Sequence, residues 1–479
     1  MQLTEEQIQQ IARRVAEKLS AGAPSVQPAG QGVTPEQLGE GIFATVDEAV
    51  AAAAEAQRRL MALSLEQRNR IIASIREEMM ANAERLAREA HAETGLGRPE
   101  DKILKNKLVT EKTPGTEDLT ATAWSGDHGL TLVELAPYGV IGAVTPTTNP
   151  TSTIICNTIG MVAAGNAVVF NVHPNAREVS KLNVRLLNRA IVKAGGPPNL
   201  VTAVADPTIE SAQELMRHKG VRLLVVTGGI GVVREAMKSG KRAICAGPGN
   251  PPVVVDETAD IDKAARDIVL GASMDNNIIC TDEKEVFVVH TMADKLIRAM
   301  QANGCILLNP VQLRQLERVI FEKLRGPRKP GVMNKAFIGK NPSVFLSEIG
   351  ISVPDSVRLA IAEVDVNHPL VWSEQMMPIL PIVRVQNVDE GIDLALEAEH
   401  GFRHTAVMHS KNIEKLSRMA RECDCSIFVK NGPSLAGLGY GGEGYCSFSI
   451  ASPTGEGLTS PRSFSRIRRC TLVDYFRIV

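Results

Sequence analysis

Two successive series of alternating strand and helix patterns predict an α/β protein built from two related parallel-sheet domains. In the first series, apolar strand-length segments recur at 139–145, 167–172, 200–204 and 221–227, with helical patterns between them at 151–164, 176–194 and 206–219. In the second, strands at 252–255, 285–290, 405–408 and 426–430 accompany helices near 259–275, 291–302, 388–399 and 412–421. The third observation is compositional. Of 479 residues, 44% are hydrophobic but only 4% aromatic, so the core is aliphatic.

The elements follow in order. Ile8, Ile11, Val15 and Leu19 recur at helical spacing, so residues 1–20 read as a short amphipathic helix. An Ala/Gly/Pro/Gln-rich stretch, 21–40, reads as a flexible linker. A helix tethered in this way needs a partner surface for its apolar stripe, or else docks on its own domain. The globular body begins near Gly41, and two long helices are expected at 46–63 and 65–92. Residues 130–146 read as strands with turns at Pro137 and Gly139. The stretch from Gly437 to Phe464 reads as a loop region, and 470–479 as a final strand.

Composition excludes several classes of function. There are 53 basic and 54 acidic side chains, for a net charge of −1. That balance leaves no footprint for nucleic acid or an anionic membrane. No apolar run reaches the roughly 18 residues of a membrane span. The opening MQLTEEQIQQ lacks the basic and apolar regions of a secretory signal, so the cytoplasm is expected. The eight cysteines are then expected to be reduced. None forms a C-x-x-C pair, and no metal site is predicted.

Four segments can carry chemistry. In VVTGGIGVV (225–233), Gly228, Gly229 and Gly231 mark a strand-to-helix turn that can receive an anion, or a purely structural crossover. AICAGPGNPPVVVD (243–256) fixes an irregular backbone before a buried strand, either as a pocket wall or as a tight crossover. MDNNIICTDEKEV (274–286) carries Cys280 ahead of a charged turn, as a nucleophile or as a core thiol. In VTPTTNPTST (144–153), Asn149 precedes Pro150, which can start a helix; its amide can donate to an oxyanion or cap that helix.

Taken together, these motifs resemble the aldehyde dehydrogenase superfamily, and within it the CoA-acylating branch. The likeness runs from about Gly41 to Val479. TPTTNP matches the segment with the oxyanion donor, which implies that role for Asn149 and cofactor contacts for Thr145, Pro146 and Thr147. VVFNVHP (168–174) matches the ribose-binding strand, implying His173 and Pro174. TGGIGVV matches the pyrophosphate turn, implying Gly228, Gly229, Ile230 and Gly231. The AGPGNPP stretch implies Gly247 and Pro248, IIC the nucleophile Cys280, and SEQMMPIL the nicotinamide-ribose ligand Glu374. TGEGLTSPRSF (454–464) matches the C-terminal signature of the acylating branch.

The resemblance implies an aldehyde dehydrogenase-like fold of two Rossmann-like α/β domains plus a β oligomerisation arm. An NAD/CoA-binding domain would span 41–245, with 115–138 contributing to the arm. A catalytic domain would span 246–446, and 447–479 would hold the C-terminal segment and the oligomerisation strand. The implied reaction converts a short aldehyde, propionaldehyde, with NAD and coenzyme A to propionyl-CoA and NADH through a cysteine thioester. A homodimer or homotetramer is implied. Microcompartment members of the branch carry an N-terminal helix and linker of this kind, implying encapsulation and contact with shell proteins through residues 1–20.

Two departures are informative. Hydrolytic relatives place a water-activating Glu where this chain has Ala246. Water needs such a base at neutral pH, whereas a thiol ionises far more readily, so transfer to CoA is favoured. His173-Pro174-Asn175-Ala176 also replaces the usual Lys and Glu, leaving NAD against NADP open. His400 and His404 are candidates to deprotonate CoA, or ordinary structural histidines. Two alternatives stand beside the acylating reading: a hydrolytic aldehyde dehydrogenase, and a non-catalytic cargo protein on the same fold.

Overall fold

The computed structural model describes residues 38–479. The helix expected at 1–20 and most of the linker expected at 21–40 lie outside the described residues.

The chain enters through β1 (Ile42–Phe43), then runs through helices α1 (Val46–Met61), α2 (Leu65–Thr94) and α3 (Pro99–Lys112). Thr45 and Glu48 form a capping box at the start of α1. The left-handed Gly95 (φ 66°) closes α2. Strands β2 (Thr122–Gly126) and β3 (Gly129–Pro137) then leave the body as a hairpin. The first sheet is completed by β4 (Val140–Val144), β5 (Ala167–Asn171), β6 (Val201–Val204), β7 (Val221–Thr227) and β8 (Arg242–Ala246). Between its strands run α4 (Pro150–Ala163), α5 (Arg177–Lys193), α6 (Ile209–Arg217) and α7 (Ile230–Lys238). The order is β1-β6-β5-β4-β7-β8, and every pairing is parallel. Order reverses beside β4, the switch point at which open α/β sheets bind ligands.

The second sheet has seven strands, again all parallel. They are β9 (Pro252–Val255), β10 (Glu285–Val289), β11 (Ile306–Leu307), β12 (Ala360–Glu363), β13 (Ile379–Val385), β14 (Thr405–His409) and β15 (Ile427–Lys430), ordered β11-β12-β13-β10-β9-β14-β15. Helix α8 (Ile261–Ser273) follows β9. Val253, Val254 and Val255 are fully buried, as an inner parallel strand requires. Strand β16 (Ser465–Val473) returns to pair antiparallel with β3, giving the three-stranded sheet β2-β3-β16.

The structure adds elements that periodicity does not signal. Strand β13 contains Pro381, which has no N–H for a ladder and so disguises a central strand. Helix α3 lacks an apolar stripe because Lys102 and Lys105 lie on its buried face. The final strand is also displaced from the expected 470–479. It begins at Ser465 and ends at Val473, where Asp474 and Phe476 turn left-handed (φ 68° and 79°) and break the extended ladder. Within the expected 437–464 loop region, Ile450–Ala451 and Gly457–Leu458 pair as a short ladder.

Candidate active site

One cavity of about 770 Å³ opens where β4, β5 and β7 end, a size suited to a small-molecule or cofactor site. The first sheet gives it Thr145, Pro146, Thr147 and Asn149 after β4, and His173 and Pro174 after β5. Gly228, Gly229 and Gly231 enter between β7 and α7, and Gly247 and Pro248 after β8. Cys280 and Glu374 reach the same cavity from the second half of the chain. Ile230 stands apart: its side chain is half exposed at the first turn of α7 and is not part of this wall.

The glycine turn is open toward the cavity. A Cβ at Gly229 or Gly231 would meet nothing within 4 Å. The N-terminus of α7 therefore faces space that an anion can occupy. The Gly228 N–H is already used, donating to the Ala246 carbonyl at 3.1 Å. Across the cavity, His173 Nδ1 accepts the Asn175 N–H at 3.1 Å, so its proton sits on Nε2. Burial pushes this imidazole's pKa down, keeping it neutral. Open glycine space, a helix N-terminus and a neutral donor together fit a dinucleotide.

Cys280 is the one cysteine among the eight that lines this cavity. Burial pushes its thiol up to about 12; the Glu374 and Asp282 carboxylates push the same way, against Lys284. Its approach is built by an unusual backbone. Asp275, Asn276 and Asn277 are all left-handed (φ 45°, 56° and 64°), a region that non-glycine residues normally visit singly. Side-chain hydrogen bonds hold the segment. Asn276 Nδ2 donates to the Gly339 carbonyl at 2.9 Å, and Asn277 Nδ2 to the Ala272 and Glu283 carbonyls at 2.8 and 2.9 Å. Lys284 Nζ donates to Asn277 Oδ1 at 2.6 Å and to the Asn277 carbonyl at 2.8 Å. The charged turn after Cys280 is thus not solvated; Asp282, Glu283, Lys284 and Glu285 are all fully buried.

Asn149 stands at the N-cap position of α4 but makes no side-chain cap bond. The capping alternative therefore does not account for it. Its Oδ1 instead accepts Lys105 Nζ at 2.5 Å, and Nδ2 lies 3.3 Å from Thr148 Oγ1. Glu374 Oε1 accepts the Gly249 N–H at 3.4 Å. Gly249 has no room for a side chain, since a Cβ would fall 2.6 Å from the Cys280 carbonyl oxygen.

His400 and His404 lie outside the cavity wall. His404 is fully buried against Thr405 Oγ1 (2.9 Å), and burial pushes it down to about 4. His400 Nε2 contacts the Trp372 carbonyl at 2.9 Å, and its ring packs edge-on to Trp372. Ala246 is buried at the end of β8 and is likewise not in the wall.

Among the apolar wall residues that sequence reasoning missed are Ile278, Met376 and Phe448. Met376 is left-handed (φ 52°), a backbone state with no sequence signal at a methionine. Sequence reasoning also missed Lys105, which lies in no motif that singles it out.

This fold and this cavity define a class that comparison with known proteins makes explicit. A family profile described as "Aldehyde dehydrogenase family" matches residues 15–304. The chain belongs to the aldehyde dehydrogenase family. It is 48% identical over 478 residues, spanning all of both chains, to the acetaldehyde dehydrogenase (acetylating) EutE of Salmonella typhimurium strain LT2. A crystal structure of Rhodopseudomonas palustris propionaldehyde dehydrogenase, with bound CoA and an acylated cysteine, is similar with a TM-score of 0.88 and 52% identity; 91% of this chain and 99% of that one are covered. A propionaldehyde dehydrogenase from the Clostridium phytofermentans fucose utilisation bacterial microcompartment is similar with a TM-score of 0.89 and 48% identity, covering 92% of this chain and 100% of that one.

Proposed function

We propose that the protein is an NAD-dependent, CoA-acylating aldehyde dehydrogenase that converts propionaldehyde to propionyl-CoA. The observation that carries this is the meeting of Cys280, Asn149 and the open glycine turn in one cavity. Cys280 loses its proton to solvent, and the resulting thiolate Sγ attacks the aldehyde carbon, forming a C–S bond and placing the carbonyl electron pair on oxygen. The Asn149 amide and the Cys280 N–H hold that oxyanion; such donors contribute about 2.7–4 kcal/mol each in other enzymes. The glycine turn and Glu374 would hold NAD, which would supply the hydride acceptor that lets the oxyanion collapse to the thioester. The CoA thiolate then attacks the same carbon, the bond to Cys280 Sγ breaks, and the oxyanion forms again on the same donors. The first half of the chain would hold the cofactors, and the second half presents the nucleophile.

Transfer to a thiol is favoured over hydrolysis by the carboxylates available. Among the described residues of the wall these are Glu235 and Glu374. Glu374 already accepts the Gly249 N–H. With Ala246 buried and apolar, no third carboxylate stands ready to activate water.

We further propose a homo-oligomer formed through β2-β3-β16, and encapsulation in a bacterial microcompartment directed by residues 1–20. The similarity to a microcompartment enzyme supports the second point.

The decisive experiment incubates the enzyme with propionaldehyde and NAD, with and without CoA, and identifies the acyl product. Propionyl-CoA is expected, and Cys280→Ala should abolish it. Free propionate formed at the same rate without CoA would favour the hydrolytic alternative. Undiminished activity in Cys280→Ala would refute the assignment of the nucleophile.

A further inference from the structure

The proposed oxyanion site draws one donor from each half of the chain, Asn149 after β4 and the Cys280 peptide ahead of β10. A single buried ammonium joins Asn149 to Asp275, five residues ahead of Cys280. Lys105, on α3, is 2% exposed. Its Nζ donates to Asn149 Oδ1 at 2.5 Å and pairs with the Asp275 carboxylate. It also lies 6.0 Å from the centroid of Phe448, a cavity wall residue.

Two consequences follow from donor chemistry. An ammonium has only protons to offer, so the Asn149 atom facing it is the amide oxygen. The NH₂ edge is thereby left for other partners, and the cation draws electron density from the amide, strengthening its N–H as a donor. Asp275 anchors the ammonium from its other side. It is fully buried, pairs with both Lys102 and Lys105, and accepts the Arg98 backbone N–H at 2.7 Å. It also begins the left-handed run 275–277, three residues ahead of Cys280.

We propose that Lys105 is a positioning residue for acyl transfer: it fixes the Asn149 amide with its NH₂ edge toward the cavity and strengthens it as a donor in both half-reactions. This rests on Asn149 being the oxyanion donor. No such function is needed to explain an ordinary surface lysine, and this one is buried against an amide that could otherwise cap its own helix.

The test compares Lys105→Met, Asn149→Ala and the double variant in the full-length enzyme. Three rates are followed: NADH formed in a single turnover without CoA, propionyl-CoA formed with CoA, and alkylation of Cys280 by iodoacetamide. Alkylation needs the thiolate and an open cavity but no oxyanion site. Asn149→Ala is expected to slow both acyl steps about 100-fold or more. Lys105→Met should slow both by about tenfold or more while alkylation and the KM for NAD stay within about twofold, since only the donor is affected. Because Lys105 acts through Asn149, the double variant should be no slower than Asn149→Ala alone.

Parent-like acyl transfer in Lys105→Met would overturn the proposal, as would losses that multiply in the double variant. Full activity in Asn149→Ala would instead refute the oxyanion assignment on which it rests. Should Lys105→Met not fold, Lys105→Gln keeps an N–H donor for Asp275 without the charge and carries the same comparisons. Failure of both variants to fold would assign Lys105 to stability alone and overturn the proposal.

Discussion

At the scale of the residue, the chemistry turns on a thiol that is not activated in the resting enzyme. With Cys280 pushed up to about 12, first by burial and then by Glu374 and Asp282, the neutral thiol dominates at pH 7. Below its pKa, a thiol's ionised fraction rises about tenfold per pH unit. Alkylation of Cys280 by iodoacetamide should therefore keep climbing from pH 7 to 9 without a plateau. Glu374→Gln removes a negative neighbour and should lower the thiol's pKa. Alkylation at pH 7 should then accelerate by about threefold or more, an order-of-magnitude expectation for one nearby charge. Turnover should fall in the same variant if Glu374 also orients the nicotinamide ribose. Unchanged alkylation in Glu374→Gln would show that this carboxylate does not act on the thiol.

At this scale the sequence was partly legible. Cys280, Asn149, Glu374 and the glycines were named from motif order, and all of them line one cavity. Lys105 was not legible, because its environment is made by residues far away in the chain. Asn149 lies 44 positions on and Asp275 170 positions on. A one-dimensional reading assigns such a lysine to solvent, and only packing shows that it is buried.

At the scale of the element, the approach to Cys280 is a strained segment held by its neighbours. Three successive left-handed residues cost of order 1–3 kcal/mol each unless the surroundings fix them. Here the Asx side chains and Lys284 supply the fixing bonds. Gly249 provides the clearance, because a Cβ there would meet the Cys280 carbonyl oxygen at 2.6 Å and His404 Cγ at 3.1 Å. Gly249→Ala should therefore displace the Cys280 segment and lower kcat for propionyl-CoA formation by about 100-fold, the order expected of a small misplacement of reacting groups. A parent-like kcat would show that the segment yields without cost. The GPGNPP stretch was legible as an irregular wall, but the sequence did not say which atom the glycine clears. Strand β13 and helix α3 were hidden for the same kind of reason. Pro381 sits in a central strand and two lysines sit on a buried helix face, so local chemistry argues against what the tertiary structure requires.

At the scale of the whole molecule, the sheet β2-β3-β16 carries apolar side chains that no other described residue covers. Trp124 is 55% exposed, Ile467 75% and Val473 59%. Isolated small sheets gain stability by packing a face against another element, and a second copy would supply it here. Ile467→Asp should shift the enzyme toward smaller species, read by light scattering on a size-exclusion column. An unchanged mass would place the oligomer contact elsewhere. Deleting residues 1–20 should leave acyl transfer within about twofold of the parent, since the role proposed for those residues is encapsulation and not chemistry. The same deletion should abolish co-localisation with shell proteins, followed with a fluorescent fusion.

By itself, the sequence determined the class of this protein. The alternation of strand and helix patterns made it α/β, because hydrophobic period and turn chemistry are local properties, and the order of TPTTNP, TGGIGVV, IIC and SEQMMPIL carried the resemblance to the aldehyde dehydrogenases. Only the tertiary structure decided how those motifs act together. It turned the Asn149 side chain away from its helix cap, placed a buried ammonium behind it, and built the route to Cys280 from three left-handed residues. Those features depend on contacts between distant segments in a medium without water, where an unpaired charge or amide is too costly to leave alone.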